Sequence, residues 1–146
     1  MTEEARIIGA PSDYGANRRG VDMGPSAIRY AGLQAALEDA GVRCTDRGDV
    51  TAPPAETQDA DKRVPEQGRA KFVEEVEAVS HEVADEVETA IADGATPLVV
   101  GGDHSVAIGS LRGAAADAEI GAVWFDAHAD LNAPSTSPSG NVHGMP

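Results

Sequence analysis

The sequence of 146 residues is poor in the residue types that mark several classes of protein. Its single cysteine, Cys44, excludes an internal disulfide and is typical of a reducing, cytosolic setting. No apolar run approaches the ~20 residues needed to cross a bilayer, and the acidic residues 1–4 lack the layout of a signal peptide. Aromatic residues make up only 3%, so a core must be built from Val, Ile, Leu and Ala. We expect a cytoplasmic chain that forms one domain or part of one.

Basic residues are also scarce. There are 11 Lys and Arg against 25 Asp and Glu, which gives a formal net charge of -14, and Lys62 and Lys71 are the only lysines. Such a surface repels phosphate backbones and anionic lipids, so we expect neither nucleic acid nor a membrane as a partner. It also favours a halophilic protein, whose self-repulsion is screened in high salt. An ordinary acidic enzyme is the alternative.

Apolar segments alternate with amphipathic ones along the chain. The pattern predicts strands over residues 6–10, 42–50, 97–100 and 120–125, and helices over residues 24–40, 69–93 and 105–116. A polar loop spans about residues 51–68, and we predict no domain boundary there. This order predicts an α/β fold, an open parallel sheet with helices on both faces. Ligands of such sheets bind beyond the carboxyl ends of the strands, after Val100 and Phe125.

Two motifs follow those strand ends. Residues 101–105 read Gly-Gly-Asp-His-Ser, which places His104 at the rim of the sheet, either as a ligand or as a solvent-facing residue of a simple turn. Residues 126–130 read Asp-Ala-His-Ala-Asp. In an extended chain Asp126, His128 and Asp130 would share one face, where they would repel one another without a cation. Carboxylates mixed with imidazole suit Mn, Zn, Fe or Co; an exposed polar strand end is the alternative.

A third polar segment, residues 132–146, contains Asn132, Ser139, Asn141 and His143. A loop in this position can recognise a polar substrate or can be a flexible linker. His143 is a candidate proton shuttle or an idle surface residue, and His81 is expected to be a surface residue of an acidic helix.

Together these motifs resemble the ureohydrolase superfamily of arginases, agmatinases and their relatives. The resemblance rests on residues 101–105, 126–130 and 139–144, in order, and on residues 18–25, Arg-Arg-Gly-Val-Asp-Met-Gly-Pro, which are similar to the opening of bacterial-type arginases. The ending Ser-Gly-Asn-Val-His-Gly-Met-Pro is more like arginase than agmatinase. The resemblance covers essentially the whole chain and implies the N-terminal half of an arginase-like three-layer αβα domain.

The resemblance also implies a chemistry. It implies a binuclear manganese hydrolase that converts L-arginine to L-ornithine and urea by attack of a metal-bridging hydroxide, in a homo-oligomer, trimer or hexamer. His104 would bind the first metal and His128 the second, Asp126 would bridge both, and Asp130 would bind the first metal and assist proton transfer. Substrate would contact the loop at Asn132, Ser139 and Asn141, and His143 matches a residue assigned to proton shuttling.

The family is about twice this length. Its second half supplies another aspartate pair to the metals and a glutamate for the far end of the substrate, and none of these can be located here. We therefore expect residues 1–146 to be the N-terminal portion of one such domain, to bind at most one metal tightly and to be inactive alone. An agmatinase or another guanidino-acid hydrolase and a non-catalytic truncated homologue are the alternatives. A hydrolase with a Cys44 or Ser nucleophile is a further one, with no histidine near Cys44 in sequence.

Overall fold

The computed structural model describes residues 4–16 and 18–146; the first three residues, which entered the signal-peptide argument, lie outside this range. Within these residues, seven helices and strands follow one another: β1 (Glu4–Ala10), α1 (Gly24–Tyr30), α2 (Leu33–Asp39), β2 (Arg43–Asp49), α3 (Val73–Ala92), β3 (Thr96–Gly101) and α4 (Val106–Ala114). Short 3-10 turns occupy Val21–Met23, Ala55–Thr57 and Val142–Gly144. No helix of the described chain is both long and apolar enough to cross a membrane.

The three strands form one parallel sheet in the order β2-β1-β3. The chain therefore steps from β1 to β2 in one direction and from β2 across to β3 in the other, so right-handed crossovers place the intervening helices on opposite faces. Ile8 of β1 packs into the core against α3, whereas a Cβ at the adjacent Gly9 would meet Arg29 of α1. The predicted α/β fold, an open parallel sheet with helices on both faces, is confirmed.

The main core lies between the sheet and α3. It is rich in valine and contains two aromatic rings, Tyr14 and Phe72, whose centroids are 5.6 Å apart. Helix α3 contributes one buried face, on which the buried residues recur every three or four positions, as the sequence predicted. These buried side chains form the cluster: Ile8, Ala10, Tyr14, Val50, Ala55, Ala70, Phe72, Val76, Val79, Val83, Val87 and Val142.

Helices α3 and α4 pack closely through two glycines on one face of α4. A Cβ at Gly109 would lie 2.5 Å from the carbonyl oxygen of Ser80, and a Cβ at Gly113 would lie 2.4 Å from that of Ala84. Residues four apart share a helix face, so both glycines bring the backbone of α4 against α3. This packing fixes α4, which begins two residues after His104.

The segment predicted as one helix over residues 24–40 is two helices. Gly32 separates α1 from α2 and has a φ of +92°, a left-handed conformation that interrupts a right-handed helix. The helix predicted over residues 69–93 begins later, at Val73, because Phe72 is also left-handed, with φ of +52°. The amide of Lys71 donates to the carbonyl oxygen of Gly140, so this stretch pairs with a loop rather than with its own helix.

The predicted fourth strand, residues 120–125, is wrong. These residues lie within the described chain but have no strand pairing, and Val123 and Phe125 are 80% and 95% exposed. A cleft of about 370 Å³ lies between this segment, β3 and α4. A continuous apolar strand is stable when both its faces are covered, and nothing in the described chain covers the outer face of this one.

Candidate metal centre

His104 stands where β3 ends. The strand stops at Gly101, and the next residue, Gly102, donates its N–H to the carbonyl oxygen of Ala10 at 3.0 Å. A Cβ at Gly102 would lie 2.1 Å from the carbonyl oxygen of Ser12, so this turn requires glycine. The chain then reverses into α4, and His104 faces the edge formed by the carboxyl ends of the strands.

Two carboxylates converge on one nitrogen of this imidazole. Nδ1 of His104 lies 2.8 Å from Oδ2 of Asp130 and 3.0 Å from Oδ2 of Asp126. One atom from each of the three side chains lies within 4.8 Å of the others. A ring nitrogen carries at most one proton, which cannot neutralise two carboxylates, so the cluster has the charge and the donor atoms to hold a cation.

His128 lies at the outer side of the same cluster. Its Nδ1 is 3.3 Å from Oδ1 of Asp126, and its side chain is 81% exposed. Asp126 thus presents one oxygen to each of two imidazoles. The backbone N–H of His128 also donates to Asp126 at 2.8 Å, and this hydrogen bond is the main cause that holds the pKa of Asp126 below its ordinary value.

The three residues of the second motif do not meet as neighbours on an extended strand. Asp130 has a φ of +49°, a left-handed conformation that few residues other than glycine adopt. This turn brings Asp130 back to His104 beside Asp126 and leaves His128 outside. The predicted alternation of these side chains along an extended strand is therefore wrong, because the chain after Phe125 turns instead of extending.

Trp124 is a part of the site that sequence reasoning missed. Its ring packs against the imidazole of His104, with centroids 4.6 Å apart and planes at 31°. The contact limits rotation of the imidazole on one face. One signal was available: this is the only tryptophan of an aromatic-poor chain, and it lies two residues before the second motif begins.

A cleft of about 530 Å³ opens over the cluster. Its walls include His104, Asp126, His128, Asp130, Asn132 and His143. The backbone N–H of Asn132 donates to the carbonyl oxygen of Gly144 at 3.1 Å, which closes the intervening loop on itself. The structure therefore places both ends of the third polar segment beside the proposed ligands.

Ser139 and Asn141 stand further back. Asn141 is buried, its side-chain oxygen lies 3.4 Å from Nζ of Lys71, and its N–H donates to Oγ of Ser139 at 3.2 Å. The backbone of residues 68–71 supports this loop from behind, since the N–H of Arg69 donates to the carbonyl oxygen of Pro134 at 2.7 Å. The two side chains hold the shape of the loop, while Asn132 and His143 line the cleft itself.

Comparison with known proteins gives relatives along the whole chain. The Arginase family model matches residues 3–146. The arginase of Brevibacillus brevis is 46% identical over 149 residues, covering 100% of this chain and 47% of that protein. The structure of Bacillus caldovelox arginase is similar, with a TM-score of 0.85 at 45% identity, covering 100% of this chain and 48% of the other. The structure of Entamoeba histolytica arginase in complex with L-ornithine has a TM-score of 0.81 at 32% identity, covering 99% and 48%.

The chain spans about half the length of the curated relatives it matches. These matches cover the whole of this chain and therefore include the sheet, the glycine turn after β3 and the cleft. The resemblance predicted from the motifs is confirmed, and this chain belongs to the arginase family.

Proposed function

We propose that this chain forms part of a binuclear manganese hydrolase that cleaves the guanidinium group of L-arginine to give L-ornithine and urea. The main observation is that the carboxylate of Asp126 lies between two imidazoles, with one oxygen near His104 and the other near His128. The carboxylate of Asp130 contacts the same nitrogen of His104 as Asp126 does. That arrangement suits one carboxylate between two cations. Membership of the arginase family supports the same reaction.

The donor set fits manganese. Imidazole nitrogen and carboxylate oxygen without thiolate are ligands for Mn²⁺ and similar divalent ions. His104, Asp126 and Asp130 would hold the first ion, and Asp126 and His128 would contribute to the second. When bound, such ions lower the pKa of water and supply a nucleophile at neutral pH.

The remaining residues of the cleft would orient substrate and move protons. Asp130 would accept a proton from the attacking water and pass it to the departing amine of ornithine. His143 is exposed on the wall of the cleft and would carry to solvent the proton released when the next water is deprotonated. Asn132, Ser139 and Asn141 belong to the loop that would hold the α-carboxylate and α-amino groups.

We propose arginine rather than agmatine as the substrate, because a loop that binds an α-carboxylate has no use in agmatine recognition. The related Entamoeba enzyme was crystallised with L-ornithine, an amino acid that retains these groups. A site built to bond polar groups rejects an analogue that lacks them by up to ~10⁴–10⁵-fold.

The test uses a chimera in which residues 1–146 replace the matching segment of Bacillus caldovelox arginase, with which this chain is 48% identical. After chelation and addition of single metals, we expect Mn²⁺ to restore urea release best and arginine to be strongly preferred. Equal or better turnover of agmatine would contradict the substrate, and recovery with Mg²⁺ but not Mn²⁺ or Co²⁺ would contradict the metal site.

We further propose a cytoplasmic location, a homo-oligomeric enzyme and adaptation to high salt. The lone Cys44 supports the reducing compartment, and the net charge of -14 supports the salt adaptation. Fractionation of the native host cells, with the protein detected by an antibody, would test the cytoplasmic location. Sedimentation of the purified enzyme in molar KCl would test the homo-oligomer. The dependence of the melting temperature on KCl would test the third.

A further inference from the structure

Asp103 is a buried carboxylate next to the cleft, and its two oxygens accept one local and one long-range hydrogen bond. Oδ1 accepts the backbone N–H of Ser105 at 2.8 Å, and Oδ2 accepts that of Gly15 at 2.9 Å. Asp103 is only 7% exposed. A buried charge is costly unless it is hydrogen-bonded, so these two N–H groups fix the carboxylate and are fixed by it.

Gly15 continues the connection to the other wall of the cleft. Its carbonyl oxygen accepts the backbone N–H of His143 at 3.1 Å. A Cβ at Gly15 would lie 2.4 Å from Oδ1 of Asp103 and 3.0 Å from the backbone nitrogen of His143. Three separate stretches of backbone therefore meet here with no space for a larger residue.

We propose that Asp103 is a positioning residue that, through Gly15, holds the backbone of His143 at a fixed place relative to His104. Asp103 directly precedes His104, and both histidines line the cleft. A simple cap on α4 would account for the bond to Ser105 but not for the bond to Gly15. The catalytic consequence rests on the proposed function, in which His143 exchanges protons.

The structural test is site-resolved amide exchange in the 146-residue chain. Asp103→Asn leaves one acceptor oxygen for two N–H groups, so we expect protection of the Gly15 and His143 amides to fall at least about tenfold. The matched control is Asp59→Asn. The exposed carboxylate of Asp59 also accepts a hydrogen bond from the N–H two residues later, that of Asp61, but it has no long-range partner in the described chain. We expect that control to leave both amides unchanged.

Loss of protection confined to Ser105 and the first turn of α4 would overturn the proposal, since it would show a cap alone. If Asp103→Asn does not fold, Gly15→Ala disrupts the same junction, because its Cβ would press on Oδ1 of Asp103 and on the backbone nitrogen of His143. We then expect the amides of residue 15 and His143 to lose protection together. In the unmodified chain, Gly15 and His143 should have equal protection factors, because one opening frees both. Unequal factors would also overturn it. Should the chain associate, the chimera serves for the same measurements.

The catalytic test uses the chimera. We expect Asp103→Asn to lower kcat for arginine at least about tenfold, because a displaced acid–base group loses much of its effect. KM should change less than about threefold, since the loop of residues 134–140 is held separately by the amides of Arg69 and Lys71. An unchanged kcat, or a loss confined to KM, would overturn the positioning role. Absence of urea from the unmodified chimera would contradict the proposed function alone and would leave the exchange result standing.

Discussion

Arg29 shows how a single side chain organises charge in this acidic molecule. Its guanidinium donates to both oxygens of Asp46, at 2.7 and 2.9 Å, and also pairs with Asp49. It thereby ties α1 to the edge strand β2. The hydrogen bonds from Arg29 are the main cause that lowers the pKa of Asp46 below its ordinary value of 3.8.

Asp46→Asn should lower the free energy of unfolding by about 1 kcal/mol near neutral pH, a modest value because the pair is partly exposed. The amide keeps the local bond from Gly48, so the variant removes mainly the charge. Because the folded pKa is depressed, the stabilisation is present above 3.8 and is lost as the pH falls through the depressed value. Urea unfolding at several pH values would show the two proteins converging in acid.

The control for this experiment is Asp117→Asn, because Asp117 is exposed and has no ion pair in the described chain. It should change the free energy of unfolding by less than about 0.5 kcal/mol at every pH, because it removes one exposed charge and no ion pair. A difference between the unmodified chain and Asp46→Asn that grows towards acid would contradict the pairing with Arg29.

The two glycines of α4 determine how a whole helix is placed. Gly109 and Gly113 let α4 approach α3, and α4 in turn carries the turn that holds His104. Alanine favours a helix over glycine by about 1 kcal/mol, so intrinsic propensity argues for replacing both. The close contact of both glycines with the backbone of α3 opposes such a replacement, and we expect this steric effect to exceed the gain in helix propensity.

Gly109→Ala should lower the free energy of unfolding by about 1–3 kcal/mol, because its Cβ would lie 2.5 Å from a backbone oxygen of α3. Gly121→Ala is the control: a Cβ there meets nothing within 4 Å, so we expect no loss. Thermal and urea unfolding would measure both. Stabilisation by Gly109→Ala would show that the helices are less closely packed than described.

The periodicity of buried residues predicted α3, β1 and β3, because the pattern of apolar side chains directly reports which face is covered. It did not predict the break at Gly32, since glycine is tolerated within a helix and only its φ of +92° shows the interruption. It also predicted a strand at residues 120–125 that is not paired. An apolar segment has a tendency to be buried, but it forms a paired strand only when a neighbouring strand and a covering layer are present.

The site was predictable to a similar degree. Motif spacing indicated His104, Asp126 and Asp130, which meet in the structure. It could not indicate the contact of Trp124 with His104 or the bonds of Asp103 to Gly15, because these join residues whose distance in space depends on the complete fold. Long-range contacts of this kind have no signature in local sequence.

The net charge of -14 acts on the molecule as a whole. Self-repulsion among 25 acidic residues opposes a compact state, and salt screens it: the Debye length is ~8 Å at 0.15 M and ~3 Å at 1 M. Pairs such as Arg29 with Asp46 neutralise only a minority of these carboxylates, because the chain has 11 basic residues.

The melting temperature of the chain should therefore rise by about 5 °C or more between 0.15 and 2 M KCl. Near the isoelectric point of about 4.4, where net charge is small, the same salt should have much less effect, and this is the control. A melting temperature that is flat or falls with KCl at neutral pH would remove the halophilic interpretation.

We propose that His104, Asp126 and Asp130 form the metal centre of this chain. In the described residues, these three provide the mutually close ligand atoms, while His128 contacts Asp126 from the exposed side. We therefore expect one Mn²⁺ to bind tightly to the 146-residue chain, without urea release from arginine. His104→Asn should weaken that affinity at least about tenfold, and His128→Asn should weaken it less than about threefold.

Calorimetric titration of Mn²⁺ into the unmodified chain and the two variants is the most direct measurement, with His81→Asn as the control on the exposed face of α3. We expect one tight site, which is lost in His104→Asn, nearly unchanged in His128→Asn and unchanged in His81→Asn. Two tight sites per chain, or affinity that survives His104→Asn, would contradict it.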